Sequence, residues 1–410
     1  MKINIERLMS NINEYARYGE DPKGGVTRPS FSQEDYSIRN RFISELQKIN
    51  LEVSIDAIAN IWGYYAKSQT NKKPILIGSH LDTVPNGGAY DGALGVLVAK
   101  EVIQTIHEYN VDLNHPLCIV SFTAEEPNDF NLSTMGSRAF LGKLSKEALK
   151  SATDSTGRTL KEAVEKAGGN LDSISPLEKE FSAFVELHIE QGKRLEKANI
   201  PIGVVDSIVG IYRDKIIING EANHAGTTMM EDRTDALNTA SEIVNEIEEI
   251  LKKNDTKAVA TVGKFNVYPN APNIIPGKVE FILEIRSESE KERNNLLNNI
   301  YVNIKKISER RKTTFTTENI LNQSEKKFDK DIIESLATTA KEMKVPYTIF
   351  PSMAGHDATH LSEITKTAML FVKSVGGISH SPDEFTKQKD IETSANVMLQ
   401  AVLNLDNKLN

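Results

Sequence analysis

The stretch that decides the fold runs from residue 74 to residue 84 and reads PILIGSHLDTV, in which an apolar run over residues 74–78 leads to His80 and Asp82. An unbroken apolar run of this length is typical of a strand covered on both faces. Three more runs of this kind precede polar side chains: residues 116–122 before Glu125-Glu126, 181–187 before His188, and 368–372 before the loop with His380. Sites in open α/β sheets lie beyond the carboxyl ends of the strands. We therefore expect these side chains to meet.

Helical patterns between these runs predict an α/β fold with a mostly parallel central sheet flanked by helices. One helix is expected to begin at Asp91, a good N-cap residue. Near Ser207 the pattern changes to a βαββαβ series, which predicts a smaller inserted α+β domain over residues 209–324, while residues 317–327 look like a polar linker. Because His380 follows this insertion, residues 1–208 and 325–410 are expected to form one discontinuous catalytic domain.

Composition narrows the class of protein. The chain has 410 residues, 39% hydrophobic and 26% charged, which is ordinary for a globular protein. A net charge of −8 argues against nucleic acid as a general partner. No apolar run reaches membrane-spanning length, and the N-terminus lacks a signal-peptide core. The lone Cys118 excludes an internal disulfide, so we expect a cytoplasmic protein.

The polar groups at the strand ends suit two divalent metal ions. An aspartate can bridge two cations through its two oxygens, and we assign that role to Asp91. His80 and His188 would complete the first metal site, and Glu126 and His380 the second. Each histidine alone would more often be structural, but five such groups at strand ends favour a metal centre.

Two neighbouring carboxylates are expected to assist the reaction. Glu125 is left free if Glu126 binds metal, and it would act as general base on water and then as general acid towards the leaving amine. Asp82 lies two residues after His80, on the same side of an extended chain. It would hydrogen-bond the imidazole and fix its orientation.

The inserted domain offers three candidate substrate contacts. His224 lies in a turn of small residues and would donate a hydrogen bond to the oxyanion. Arg286 offers a fork that matches a carboxylate, and Asn273 would hold a polar substrate group. Without the catalytic domain, each would be read as an ordinary surface residue.

The pair His356 and His360 has the spacing of a helical zinc site but lacks the glutamate that follows the first histidine in that motif. Gly355 is instead expected to line the pocket, through backbone groups that only glycine leaves accessible.

The chain resembles the M20-type metallopeptidase superfamily, and within it the hydantoinase/carbamoylase branch of amidases. The motifs that carry the resemblance are Gly78-Ser79-His80-Leu81-Asp82-Thr83, Gly136-Ser137-Arg138-Ala139, His188-Ile189-Glu190-Gln191-Gly192, His224-Ala225-Gly226-Thr227-Thr228, Gly355-His356-Asp357-Ala358 and Gly377-Ile378-Ser379-His380-Ser381-Pro382. They occur in order over residues 25–385, nearly the whole chain.

The resemblance implies two ions per subunit, zinc by preference or manganese, nickel or cobalt, held by the five ligands above. It implies Glu125 as the base and substrate contacts from Gln191, His224, Asn273, Arg286 and Gly355. It also implies a homodimer joined through the inserted domain, which would serve as a lid, with His224 completing the neighbouring active site.

Four positions depart from the family pattern: Asp129 replaces a common arginine, Met229 a proline, Glu284 an aspartate and Met353 a frequent glycine. None is a proposed metal ligand, and all bear on the shape of the substrate pocket. The sequence therefore defines the activity more closely than it defines the substrate.

The sequence favours a dinuclear amidohydrolase that cleaves the ureido or amide C–N bond of a small carboxylate, first an N-carbamoyl-L-amino acid. Allantoate or ureidoglycolate, from purine nitrogen salvage, is the alternative substrate. A dipeptidase or aminoacylase is disfavoured because His188 stands where peptidases carry an acidic ligand. An inactive binding protein on the same fold is disfavoured because every ligand and the base are present.

Overall fold

The computed structural model describes residues 1–22, 24–65, 71–254 and 256–409. The strands are β1 Glu52–Ile55, β2 Ile61–Tyr65, β3 Ile75–His80, β4 Leu117–Phe122, β5 Ala183–Ile189, β6 Ile202–Ile208, β7 Gly210–Asn219, β8 Val259–Tyr268, β9 Lys278–Ser287, β10 Thr314–Gln323, β11 Lys326–Lys327, β12 Tyr347–Ser352 and β13 Lys366–Val372. The helices are α1 Ile5–Ala16, α2 Gln33–Lys48, α3 Ala93–Glu108, α4 Met135–Phe140, α5 Lys146–Ser151, α6 Leu160–Lys166, α7 Arg194–Ala198, α8 Ala236–Lys253, α9 Glu290–Arg310, α10 Lys330–Glu342, α11 Ala358–Leu361 and α12 Gln388–Lys408.

The chain divides into two compact units. The first consists of Met1–Asp206 together with Phe328–Asn410, and the second of Ser207–Lys327. The five predicted metal ligands all belong to the first unit. The role of the second unit as a lid and dimerisation domain stays a prediction.

The first unit is built on a mixed sheet with the strand order β1-β2-β4-β3-β5-β13-β6, and β12 also pairs with β6. Its central pairs, β4–β3, β3–β5 and β5–β13, are parallel. The outer pairs, β1–β2, β2–β4 and β13–β6, are antiparallel. The predicted α/β class is confirmed, but a mostly parallel sheet is wrong. An apolar run indicates that a strand is buried on both faces, but it does not indicate the direction of the strand. β2 and most of β6 pair antiparallel with their neighbours and are nevertheless as buried as the parallel strands.

The central strands are covered closely on the face where α3 packs. Every residue of β3, β4 and β5 is buried. α3 is buried along most of its length, including Gly95, where an added Cβ would lie 2.2 Å from the carbonyl oxygen of Leu187 in β5. The absence of a side chain at Gly95 therefore lets the helix backbone approach the strand.

α3 begins one residue later than the sequence suggests. Its N-cap is Gly92, with φ of 64°, and no side chain caps the helix, so the prediction of Asp91 as N-cap is wrong. A Cβ at position 92 would lie 2.2 Å from Cε1 of His80. The turn thus needs glycine for its backbone and for the space that the imidazole occupies, and the Asp91 side chain remains available for the site.

The second unit has an antiparallel sheet in the order β10-β7-β9-β8. Buried and half-buried residues alternate along β9, and the apolar sides of α8 and α9 pack with it in one core. The predicted linker over residues 317–327 is wrong, since it contains the second half of β10 and all of β11. β10 pairs with β7 on one side only and is mostly exposed, so its polar sequence lacks the apolar pattern of a strand.

Across the described ranges, no helix combines the length and apolar composition needed to cross a bilayer.

We expect Gly95→Ala to lower the free energy of unfolding of the first unit by about 1–3 kcal/mol, because the new methyl group overpacks the contact with Leu187. Alanine is intrinsically the better helix former, so propensity alone predicts the opposite sign. Urea denaturation followed by fluorescence of Trp62, which is buried in this unit and is the sole tryptophan of the chain, measures the change. Gly355→Ala is the matched control, since a Cβ there meets no atom within 4 Å. Unchanged or increased stability of Gly95→Ala would contradict the packing argument.

Candidate active site

The structure brings the five predicted metal ligands to one edge of the central sheet. His80 is the last residue of β3, His188 lies near the end of β5, and Glu126 follows β4. Asp91 immediately precedes the N-cap of α3, and His380 lies between β13 and α12. His380 is the most accessible of the five, with its side chain 49% exposed, while the other four are buried.

Asp91 lies at the centre of this group, and its two oxygens face different partners. Oδ1 lies 3.1 Å from Nε2 of His188 and 3.9 Å from Nε2 of His80. Oδ2 lies 3.1 Å from Nε2 of His380, which is also 3.3 Å from Oε1 of Glu126. Burial by itself would raise the pKa of Asp91, but hydrogen bonding to His188 and His380 holds it well below its usual range. The carboxylate is therefore ionised.

Two of the imidazoles are oriented by the backbone. Nδ1 of His80 lies 3.0 Å from the carbonyl oxygen of Asp82, and Nδ1 of His188 lies 3.0 Å from that of Ile189. A carbonyl only accepts, so each Nδ1 carries the proton. When the ring is neutral, Nε2 then turns a lone pair towards the Asp91 carboxylate. Nε2 of His188 and Oδ1 of Asp91 would then both be hydrogen-bond acceptors, 3.1 Å apart. A proton or a cation between them is needed to hold them at this distance.

The donor set fits divalent metal ions. Two groups of side chains each place their ligand atoms within 4.8 Å of one another: His80, Asp91 and His188 form one, and Asp91, Glu126 and His380 form the other. Imidazole nitrogen and carboxylate oxygen are ordinary ligands of zinc and of its neighbours in the first transition row. These are the groupings predicted from the sequence, with Asp91 shared. Their role as ligands stays a prediction.

Glu125 lies beside the first group, with its side chain 11% exposed and its Oε2 3.7 Å from Nε2 of His80. The turn after β4 passes through Ala124 in the left-handed region, φ 57°, a strained conformation for a residue with a Cβ. Burial raises the pKa of Glu125 well above its usual range, and Glu126 adds to the effect although His80 opposes it. A carboxylate with a raised pKa is a stronger base than an ordinary glutamate, which suits a group that takes up a proton and then returns it.

Asp82 supports the site differently from the sequence prediction. Its carbonyl oxygen, not its carboxylate, makes the hydrogen bond to His80, and the carboxylate Oδ1 lies 3.6 Å from the ring. The carboxylate accepts from Ser30 Oγ at 2.7 Å and from the backbone N–H groups of Glu125 and Glu126 at 3.3 and 3.1 Å. Asp82 therefore connects the end of β3 to the acidic pair.

Two predicted substrate contacts lie in the first unit. Gln191, in the left-handed region with φ of 57°, donates from Nε2 to Oδ2 of Asp91 at 2.9 Å. Its buried Oε1 has no hydrogen-bond partner among the described residues. Gly355 is exposed, and a Cβ there would meet no protein atom within 4 Å, so packing does not require glycine at this position. Its role in the substrate pocket stays a prediction.

The other predicted contacts belong to the second unit. His224 is exposed in a turn, where its Nδ1 accepts from the N–H of Gly226 at 3.0 Å. The backbone carbonyl of Asn273 accepts from Ala225 in the same region. Nε of Arg286 donates to Glu284 at 2.8 Å. The substrate-binding roles of His224, Asn273 and Arg286 remain predictions.

Sequence reasoning missed a buried group behind His188. Glu186, His188 and His356 place potential ligand atoms within 4.8 Å of one another, and the rings of His188 and His356 are 4.5 Å apart. Glu186 accepts from Ser79 Oγ at 2.7 Å, and burial raises its pKa. Burial, with the charge of Glu186, raises the pKa of Asp357 to about 8. Glu186 lies two residues before His188 on one face of β5, a spacing that could have revealed it.

Glu384 and Ser379, in the loop that carries His380, were also missed. Oε1 of Glu384 accepts from the backbone N–H groups of Tyr90 and Asp91, and Oε2 accepts from Ser379 Oγ. Burial, with the nearby charge of Asp91, raises the pKa of Glu384 to about 7. No sequence pattern connects Glu384 to a turn so distant along the chain.

Comparison with models of known protein families shows the family to which the chain belongs. The model of peptidase family M20/M25/M40 matches residues 76–404. The chain belongs to this family. The resemblance inferred from the motifs is thereby confirmed.

Similar proteins narrow the class of enzyme. The chain is 37% identical to N-carbamoyl-L-amino acid amidohydrolase of Geobacillus stearothermophilus, over 98% of this chain and 99% of that protein. It is 32% identical to allantoate amidohydrolase of Bacillus subtilis, over 98% of each. A crystal structure of a hydantoinase/carbamoylase family amidase from Burkholderia multivorans superposes with a TM-score of 0.91 at 32% identity, covering 98% of both chains. The predicted enzyme class, a hydrolase of C–N bonds other than peptide bonds, is confirmed.

We expect divalent cations to stabilise the first unit, because ions that bind only the folded site add to its stability. At a free concentration of 100 times Kd, one ion contributes about 2.7 kcal/mol. Calorimetric unfolding after chelation, and again after addition of Zn²⁺ or Mn²⁺, measures the effect. Asp91→Asn should remove most of the gain, whereas Glu178→Gln, at an exposed carboxylate, should keep it. If added Zn²⁺ or Mn²⁺ does not change the unfolding temperature of the unsubstituted protein, the result would argue against a metal centre.

Proposed function

We propose that this protein is a dinuclear metal-dependent amidohydrolase that cleaves the ureido C–N bond of an N-carbamoyl-L-amino acid. The products would be the amino acid, ammonia and carbon dioxide. The observation that carries the proposal is the arrangement of Asp91, whose two oxygens face two separate groups of metal-binding side chains.

The ions, zinc by preference or manganese, nickel or cobalt, would be held by Asp91 together with two pairs of side chains, His80 with His188 and Glu126 with His380. When bound, divalent cations in such a site polarise the scissile carbonyl and lower the pKa of water towards ~7. The backbone carbonyls that hold Nδ1 of His80 and His188 support this assignment, since they leave Nε2 as the ligand atom.

Glu125 would move the proton. Its Oε2 lies 3.7 Å from Nε2 of His80, at the edge of the first group, where it would reach a water that attacks the substrate carbonyl. It would take the proton of that water and give it to the departing nitrogen, so that ammonia leaves as a neutral molecule. The raised pKa of Glu125 supports the second half of this cycle. Asp82 would keep the backbone of Glu125 in place through its hydrogen bond.

We propose a substrate-binding role for five residues. Gln191 and Gly355 would contact substrate in the first unit, and Arg286 would bind its carboxylate from the second. His224 would donate to the oxyanion, and Asn273 would hold a polar group. We further propose that the second unit acts as a lid and joins two copies into a homodimer, and that the enzyme works in the cytoplasm.

Two observations support this choice of substrate. His188 is an imidazole where an acidic ligand would favour a peptidase, and the relative that is 37% identical over nearly its whole length is named an N-carbamoyl-L-amino acid amidohydrolase. The second candidate is allantoate, or the related ureidoglycolate, because an allantoate amidohydrolase matches at 32% identity. Both classes carry a carboxylate and a ureido carbonyl.

A substrate panel tests the choice. We expect ammonia release from N-carbamoyl-L-amino acids, and slower or no release from allantoate, ureidoglycolate, dipeptides and N-acetyl amino acids. D-enantiomers of the carbamoyl substrates control for stereospecificity. Turnover of allantoate with no carbamoyl amino acid accepted would overturn the substrate, and efficient cleavage of dipeptides would overturn the branch.

We expect Glu125→Gln to lower kcat by about 10²–10⁴-fold while the protein keeps its metal, because the amide cannot carry the proton. Metal content is measured by mass spectrometry of the purified variant, and the rate by ammonia release. Glu178→Gln makes the same chemical change at an exposed position and should leave both unchanged. A Glu125→Gln enzyme with near-normal kcat would remove Glu125 from the reaction.

A further inference from the structure

Glu384 makes three hydrogen bonds that connect two of the proposed metal-binding segments. Its Oε1 accepts from the backbone N–H groups of Tyr90 and Asp91, each at 3.0 Å, and its Oε2 accepts from Ser379 Oγ at 2.8 Å. The residue is 5% exposed. Ser379 immediately precedes His380, so one carboxylate holds both the turn that presents Asp91 and the loop that presents His380.

Ser379 extends this connection to the carboxylate of Asp91 itself. Its Oγ lies 3.1 Å from Oδ2 of Asp91, the oxygen that faces His380, and it accepts from Nε2 of Gln191 at 3.2 Å. A hydroxyl has one proton, so Ser379 can donate fully to Glu384 or to Asp91 but not to both. The shorter distance is to Glu384, which leaves Gln191 as the principal donor to Oδ2 at 2.9 Å.

The backbone at Gly88 makes space for the side chain of Glu384. A Cβ on Gly88 would lie 2.0 Å from Oε1 of Glu384 and 2.5 Å from its Cβ, so glycine at this position lets the side chain reach the turn. The loop is closed by the N–H of Val375, which donates to the carbonyl of Phe385 at 2.8 Å. The ring of Phe385 also meets the ring of Tyr90 edge-on, with centroids 6.1 Å apart.

We propose that Glu384 is the positioning residue that sets the Asp91–His380–Glu126 group, acting as a hydrogen-bond acceptor and not as a metal ligand. This proposal rests on the dinuclear site proposed above. Both oxygens of Glu384 already receive hydrogen bonds, and both point to the segments that carry the ligands. The His80–His188 side of Asp91 is held separately, by backbone carbonyls that Glu384 does not touch. Loss of Glu384 should therefore weaken one of the two cation sites much more than the other.

Calorimetric titration of the metal-free protein with Zn²⁺ alone provides the test. We expect Glu384→Ala to raise the Kd of one of the two ions by about 10–100-fold, the usual effect of removing a partner that orients a ligand. The Kd of the other ion should change by much less. In steady-state assays kcat should fall more than KM rises, because the three hydrogen bonds of Glu384 go to segments that carry proposed metal ligands and none goes directly to a proposed substrate contact.

Two further variants separate positioning from charge. Glu384→Gln keeps an acceptor for the N–H groups of Tyr90 and Asp91 and should restore most of the binding. Asp383→Asn removes a carboxylate from the same loop, at an exposed side chain, and should leave both ions bound as in the unsubstituted protein.

Three results would overturn the proposal: two ions bound normally by Glu384→Ala, both ions weakened equally with a lower unfolding temperature, or no rescue by glutamine. If the unsubstituted protein takes up one ion only, the dinuclear part of the proposed function fails instead. The positioning role is then judged on that ion, with a weakened Kd in Glu384→Ala in its favour and an unchanged Kd against it.

Discussion

The site depends on one buried carboxylate that is shared in two directions. Asp91 directs Oδ1 towards His188 and His80 and Oδ2 towards His380. A buried carboxylate without partners would take up a proton, since desolvation disfavours its charge. The imidazoles keep it ionised, whereas a protonated carboxyl group would present no negative charge to either side. Neighbouring segments of the first unit have features that keep the Asp91 side chain in place.

Those features are mainly constraints on the backbone. Gly92 turns the chain into α3 and leaves space for the imidazole of His80. The carboxylate of Asp82 holds the N–H groups of the acidic pair, and that of Glu384 holds the N–H group of Asp91. Carboxylates that accept from backbone N–H groups fix ligand segments without occupying ligand positions. The edge of the sheet thus combines side chains that could bind metal with a second set of acids that hold their segments in place.

Much of this arrangement could be predicted from the sequence, because the governing rule is local and simple. Apolar runs that end in His80, His188 or the Glu125–Glu126 pair indicate strands, and the carboxyl ends of neighbouring parallel strands meet. The rule does not reveal strand direction, so the antiparallel pairing of the outer strands in the central sheet could not be predicted from it. It also fails where a strand is polar, as β10 is, since such a strand is exposed and carries no apolar pattern.

By itself, the amino-acid sequence determined the α/β class, the family and the identity of the side chains that could bind metal. These follow from residue types, short spacings and the burial that apolar runs require. Only the tertiary structure decided which oxygen of Asp91 faces which histidine, that the carbonyl of Asp82 rather than its carboxylate bonds to His80, and that Glu384 holds the turn before α3. Such contacts join residues far apart in the chain, and their partners are set by how the loops close in space, which no local pattern records.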